Sequence, residues 1–253
     1  MTAPVTVDNC AGGAGLAIRM RAPRANALEP GFLAALGDAL DDAKARAPGF
    51  VMLTGGRHFT SGGDVARFAQ AAAEDRAQAY ADTVVPVLQD VVMRLLSLPC
   101  PVVAAARGAI TGGGAGLLFA ADVAVVAPGT FVQPYYAAMG FAPDGGWTAV
   151  LPERIGAGAA QAWLLSDRRE DATGLLRLGL AQQIAESPED TAPEMLRAAD
   201  PGALAEIKAL AWDARRLAKV RTRLDAEAAA FRRRIATPQA HARMERFLAT
   251  QRR

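Results

Sequence analysis

Short, wholly apolar runs alternate along this chain with glycine-rich loops and with segments of helical spacing. GLAIRM (15–20) is the clearer member of an early strand pair. After Pro30, the residues Phe32, Leu33, Leu36 and Leu40 recur at helical intervals through PGFLAALGDALDDAKA. Proline suits a first helical turn, because the N–H it lacks would have no partner there. FVMLT (50–54) has the length of a buried strand, and TGGRHFTSGGD follows it as a glycine loop. A long helix is predicted over much of 75–97, stopping before Pro99. PVVAAA (101–106) then reads as a buried strand, TGGGAGLLFAA as a loop running into a helix, and DVAVVA (122–127) as another strand. The order strand, glycine loop, helix thus occurs twice, at 50–70 and at 101–121. Strands apolar along their whole length predict a sheet covered on both faces, hence an α/β fold. Beyond about residue 155 helix dominates, apart from a short strand near QQIAE, and 203–250 carries no strand signal. The expected organisation is a core domain over 1–195 and a C-terminal helical region over 196–253.

Composition narrows the class. With 253 residues, 51% hydrophobic and 21% charged, the chain can bury a sizeable core. Cys10 and Cys100 have neither metal-site spacing nor a disulfide framework. No secretory signal opens the sequence, and no apolar run reaches the ~18 residues of a membrane span. A cytoplasmic protein with no membrane partner is expected. Charge is uneven: residues 215–253 hold twelve Lys and Arg against Asp225, Glu227 and Glu245, a balance of +9 in a chain of net charge +2. Such a tail either meets an anionic partner or docks on an acidic surface of its own chain. RNA binding is the rival of a different class. Its support is thin, because only Phe231 and Phe247 interleave the tail and no RNA-binding motif occurs; no nucleic-acid partner is expected.

The glycine loops carry the candidate chemistry. Neither ends in the GK[ST] of a P-loop, and Leu117 stands where a dinucleotide fingerprint after Gly112 and Gly114 needs glycine. A third use remains: glycine lets backbone N–H groups approach a ligand, a helix N-terminus adds partial positive charge, and two amides aimed at one oxygen form an oxyanion hole. A lone carboxylate, Asp144, sits in a third loop, MGFAPDGGWT (139–148), with no other charge between Asp122 and Glu153. Proline, aspartate and glycine in a row also form a turn by themselves. His58 reads as a loop residue, and Trp147, Trp163 and Trp212 as core or interface residues.

The segments PRANAL (23–28), GGRHFTSGGDV (55–65), PVVAAARGAITGGGAGLLFAAD (101–122), FVQP (131–134), GFAPDGGWTAVLPERIG (140–156) and LGLAQQIAE (178–186) resemble, in order, the crotonase superfamily of enoyl-CoA hydratases and isomerases. The PDGG loop is similar to that of isomerase-type members. The resemblance implies a spiral of ββα units with a C-terminal helical trimerisation region, and self-association as a trimer or dimer of trimers. It implies an acyl-CoA thioester as substrate, with no separate cofactor and no metal. It makes the backbone N–H groups of Ser61 and Gly113 the oxyanion donors. The stretch Arg24, Ala25, Asn26 and Ala27 would meet coenzyme A, and Gly62, Gly63, Asp64 and Gly112 are further substrate-binding candidates. Asp64 reads as structural in that role. Tyr135 and Trp147 are carried as substrate-binding candidates, and with Phe141 as apolar walls that would raise the Asp144 pKa. By the same resemblance some tail arginines, Arg252 among them, would meet the phosphates at a neighbouring subunit's coenzyme A site.

Two departures bear on the reaction. Hydratases of this superfamily carry one glutamate four residues after the start of the GGG run and another directly after QP. Here those positions are Gly116 and Tyr135. Asp144 is then the acid left at a catalytic position, which suits a proton shift from C2 to C4 of a 3-enoyl-CoA. The alternatives are an enoyl-CoA hydratase or other crotonase-type lyase, and a 1,2-epoxyphenylacetyl-CoA isomerase.

Overall fold

The computed structural model describes residues 3–251, Gln251 by its backbone alone. Arg252 therefore lies outside the described residues. Among the described residues, nine strands form two sheets. The larger has the order β1 (Val5–Cys10), β2 (Gly15–Met20), β3 (Val51–Thr54), β4 (Val102–Ala106), β6 (Val123–Val126) and β9 (Gln183–Ile184). Within this sheet, as far as the described residues go, β1–β2 is the one antiparallel pair; from β2 onward neighbours run parallel, with Val51 opposite Val102 and Val103 opposite Val123. The smaller sheet joins β5 (Ala109–Thr111), β7 (Phe131–Gln133) and β8 (Glu170–Asp171).

Alternation along the central strands explains their unbroken apolarity. Val51, Leu53, Val102, Ala104, Ala106 and Val126 face the main core, while Met52, Val103, Ala105 and Val125 face a second core with Phe50 and Ala192. Both faces are covered, so neither side of a strand can be polar. Helix Pro30–Arg46 buries Leu33, Leu36 and Leu40 completely; burial of each such side chain contributes roughly 1.5–3 kcal/mol. Helix Ala77–Ser97 crosses the same core through Val84, Leu88, Val92 and Leu95.

The last three helices of the described residues are Pro201–Ala211, Ala214–Ile235 and Pro238–Gln251. The second packs on Ala77–Ser97 and buries Val220, Leu224, Phe231 and Ile235. The basic tail docks on its own chain: Arg216 and Lys219 pair with Glu153, Arg221 with Asp90, and Arg232 with Asp82. Arg234 and Arg243 donate to Gly140 O and Ala138 O. No helix of the described residues is long and apolar enough to cross a membrane.

Candidate active site

The two glycine loops are fastened to each other. Thr60 N–H donates to Ala109 O at 3.1 Å and Thr111 N–H to Thr60 O at 3.2 Å, so the loop after β3 runs alongside β5 into Gly112–Gly114. The approach is close enough that a side chain at Gly62 would come within 2.6 Å of Thr111 O.

The outer wall is a turn of unusual backbone. Arg24, Ala25 and Asn26 have φ of 52°, 56° and 57°, a left-handed run that costs roughly 1–2 kcal/mol per residue. Asn26, which is 2% exposed, holds it. Its Oδ1 accepts from Ala22 N–H, and its Nδ2 donates to the carbonyls of Gly55, His58 and Phe59. Thr60 Oγ1 donates to Asn26 O and Ser61 Oγ to Arg24 O. Asn26→Ala strands those carbonyls, the buried Phe59 O among them. It is expected to cost about 2–3 kcal/mol, read as a lower urea midpoint; an unchanged midpoint would contradict this role.

The same turn corrects one expected donor. Ser61 N–H donates to Ala25 O at 2.9 Å, so that amide is spent inside the protein and is not free for a thioester oxygen. Gly62 N–H is likewise taken, by Thr60 Oγ1. The Gly63 amide makes no hydrogen bond among the described residues, and Gly63 lines the cavity described below. Gly113 lies in the first turn of the Gly112–Gly114 segment, where N–H groups have no intrahelical acceptor.

A cavity of about 480 Å³ opens beside these glycines. Ala25, Ser61, Gly62, Gly63, Gly112, Gly113, Tyr135 and Asp144 line it, and its apolar wall comes from Phe68, Val84, Met139, Phe141, Phe231 and Phe247. Phe231 and Phe247 belong to the C-terminal helices, so that region completes the site. Asp144 is the one carboxylic acid among the described lining residues. Its Oδ1 lies 2.6 Å from the position a side chain at Gly113 would take. Acid and amide loop are thus neighbours.

Asp144 is 7% exposed, and burial raises its pKa from 3.8 to about 6. Tyr136 restrains that rise: its hydroxyl donates to Asp144 Oδ1 at 2.5 Å, and it also lies 3.1 Å from Asp144 O. Burial and the neighbouring Asp144 charge push the Tyr136 pKa well above the usual phenol value, so Tyr136 stays a donor. Tyr136 is a partner of the acid that the sequence does not single out. The signal available was its place eight residues before the acid, which says nothing until the chain folds back.

One further expectation needs correcting. Trp147 does not line this cavity: it is fully buried behind the site, edge-on to Phe119 and Trp163 at ring separations of 5.0 and 5.2 Å. Its indole donates to Gly112 O at 2.7 Å, which steadies the amide loop from the rear. Asp64 caps helix Val65–Ala73 through the amides of Ala66 and Arg67 and pairs with Arg24 at 2.8 Å, so its carboxylate is already engaged. Arg24 also pairs with Glu29. Ala27 is buried and Arg24 is largely exposed; neither lines the cavity. His58 lines it, with Nδ1 accepting from Ala109 N–H, which assigns the ring a loop-tethering role. No group of three or more His, Cys, Asp or Glu side chains able to hold a metal occurs among the described residues.

At Gly116, where the resemblance expects a glutamate in hydratases, the packing leaves no room for a side chain. Any side chain there would overlap Gly145 O, the carbonyl directly after Asp144.

Comparison with known proteins agrees with this architecture. The sequence profile of the enoyl-CoA hydratase/isomerase family matches residues 12–251. The chain is 36% identical over 116 residues to a probable enoyl-CoA hydratase of Mycobacterium tuberculosis, covering 46% of this chain and 44% of that one, less than half the relative's length. It is 31% identical over 183 residues to the cyclohexa-1,5-dienecarbonyl-CoA hydratase of Thauera aromatica, covering 71% of this chain and 67% of that protein. Among solved structures, an enoyl-CoA hydratase from Bacillus halodurans superposes with a TM-score of 0.87 at 22% identity, over 96% of this chain and 99% of the other. An enoyl-CoA hydratase from Mycobacterium avium does so with 0.81 at 27% identity, over 99% and 98%. The chain belongs to the enoyl-CoA hydratase/isomerase family.

Proposed function

We propose that this enzyme is an enoyl-CoA isomerase that moves the double bond of a 3-enoyl-CoA into conjugation with the thioester. The observation that carries the reading is Asp144, the one carboxylate among the described cavity residues, set against the Gly113 amide loop. The thioester oxygen binds to the Gly63 and Gly113 N–H groups. C2 is one bond from the thioester carbon, so a base beside that oxygen reaches its proton. Asp144 removes it, electron density passes onto the thioester oxygen, and the two amides stabilise the resulting dienolate. The protonated Asp144 returns the same proton to C4, two bonds further along the chain. No net proton is gained and no cofactor enters. A pKa near 6 leaves Asp144 ionised at neutral pH yet basic enough to act.

Hydration instead needs an activated water and a separate proton donor. The similar proteins named hydratases argue for that reaction. The packing at Gly116 argues against it, because Gly145 occupies the space a glutamate would need. The left-handed turn at Arg24–Ala25 and the exposed rim beside it would receive coenzyme A.

The Tyr136 hydrogen bond gives a direct test. It favours ionised Asp144, so Tyr136→Phe is expected to raise the Asp144 pKa and move the acid limb of kcat/KM to higher pH. A profile of 3-hexenoyl-CoA isomerisation from pH 5 to 9 reads it. An unmoved limb would mean that Asp144 is not the titrating group.

A further inference from the structure

The strongest feature outside the cavity is a carboxylate that the tail's positive balance conceals. Glu227, on helix Ala214–Ile235, is 3% exposed and forms no ion pair among the described residues. Its Oε2 accepts from Gly146 N–H at 2.8 Å, and its Oε1 accepts from Thr148 N–H at 2.5 Å and Thr148 Oγ1–H at 2.7 Å. Burying a carboxylate without a cation is costly, and an apolar side chain would fill a helix–loop interface more cheaply.

Its position gives that burial a purpose. Asp144 is followed by Gly145 and Gly146, whose φ values of +67° and +104° make the next two residues the freest kind of backbone. Gly146 N–H is the first amide beyond that bend with a side-chain anchor, and the anchor is Glu227. One turn earlier on the same helix, Arg223 donates to Thr148 O at 3.1 Å, so the helix grips Thr148 from both its amide and its carbonyl. Gln89 of helix Ala77–Ser97 donates to Leu224 O and fixes the helix in turn. From the cavity side Tyr136 holds the Asp144 carboxylate itself. One turn further along, Phe231 presents its ring to the cavity.

We infer that Glu227 is a positioning residue: it clamps the peptides that follow Asp144, so that the helix walling the acyl end of the cavity also aims the acid. This rests on the reading of Asp144 as the acid/base. A loose Gly-Gly hinge would let the carboxylate drift, and a displacement of the order of 1 Å costs about a hundredfold in rate. The three donors are best met by the ionised form. Burial raises the Glu227 pKa to about 7, chiefly by desolvation, with the Asp144 charge adding to it. The charged and titratable groups around the clamp are Asp144 and Tyr136 on the loop side and Arg223 on its own helix. The wild-type acid limb should therefore carry two ionisations, Asp144 and Glu227.

The test compares Glu227→Gln and Asp144→Asn with wild type on 3-hexenoyl-CoA. Glu227→Gln is expected to lower kcat about tenfold to a hundredfold with KM within about twofold, and to reduce the acid limb from two ionisations to one. Wild-type kcat and an unchanged profile in Glu227→Gln, beside an inactive Asp144→Asn, would overturn the positioning role and leave the isomerase reading intact. A fully active Asp144→Asn would overturn both. If Glu227→Gln does not fold, Thr148→Val removes one of the three donors without altering the helix. A lower kcat at unchanged KM then supports the clamp, and wild-type kcat overturns it.

Discussion

Asp144→Asn is expected to lose isomerase activity by about 10²–10⁴-fold while melting no lower than the wild type at pH 8. The first half follows from chemistry: the amide can neither take the C2 proton nor return it at C4, and no other carboxylate among the described residues lines the cavity. The second half follows from linkage. Asp144 is held at a pKa of about 6 against an ordinary 3.8, so between those values the folded chain binds more protons than the unfolded one. Stability therefore falls as pH rises through that window, and above it the native state carries a penalty of the order of 3 kcal/mol. Asparagine carries no such charge. Melting curves and initial rates on the same preparations separate lost chemistry from lost structure. An Asp144→Asn enzyme with a wild-type rate would contradict the assignment.

Gly116→Glu, which places a glutamate where the resemblance expects one in hydratases, is expected to destabilise the fold by more than about 3 kcal/mol and to gain no hydratase activity. The reason is exclusion. The first carbon of any side chain at 116 falls on Gly145 O, and Val92 stands 3.2 Å from the same point. Gly145 cannot retreat without carrying Asp144 away from Gly113, because the turn at Gly145 itself is packed on the Gly113 carbonyl. A glutamate at 116 and an aspartate at 144 in its present place are thus alternatives, not partners. Urea denaturation and a crotonyl-CoA hydration assay read the two halves. A Gly116→Glu protein of wild-type midpoint that hydrates crotonyl-CoA would show that the loop yields more easily than its packing implies.

Much of the framework is legible in the sequence because the central strands are buried on both faces. Runs such as VMLT and VVAAA leave no room for another reading. The smaller sheet is not legible: β5 and β7 are three residues long and β8 two, too short for any periodicity. Asp144 is legible as an isolated charge in an apolar loop. The partners that define its chemistry are not. Tyr136 and Trp147 are both aromatic neighbours in sequence, yet one points its hydroxyl at the acid and the other packs behind the amide loop. Which amide of the Ser61–Gly63 loop is free depends on Ala25 O, a partner supplied by a distant turn. Glu227 was one of three acids in a basic tail, and only the fold brings it to Gly146.

The most direct measurement uses one preparation and two substrates. The enzyme is incubated with 3-hexenoyl-CoA and, separately, with crotonyl-CoA, following formation of the conjugated enoyl thioester in the first and its loss to hydration in the second. The account predicts rapid conjugation of 3-hexenoyl-CoA and no hydration of crotonyl-CoA. Hydration of crotonyl-CoA without isomerisation of 3-hexenoyl-CoA would contradict it.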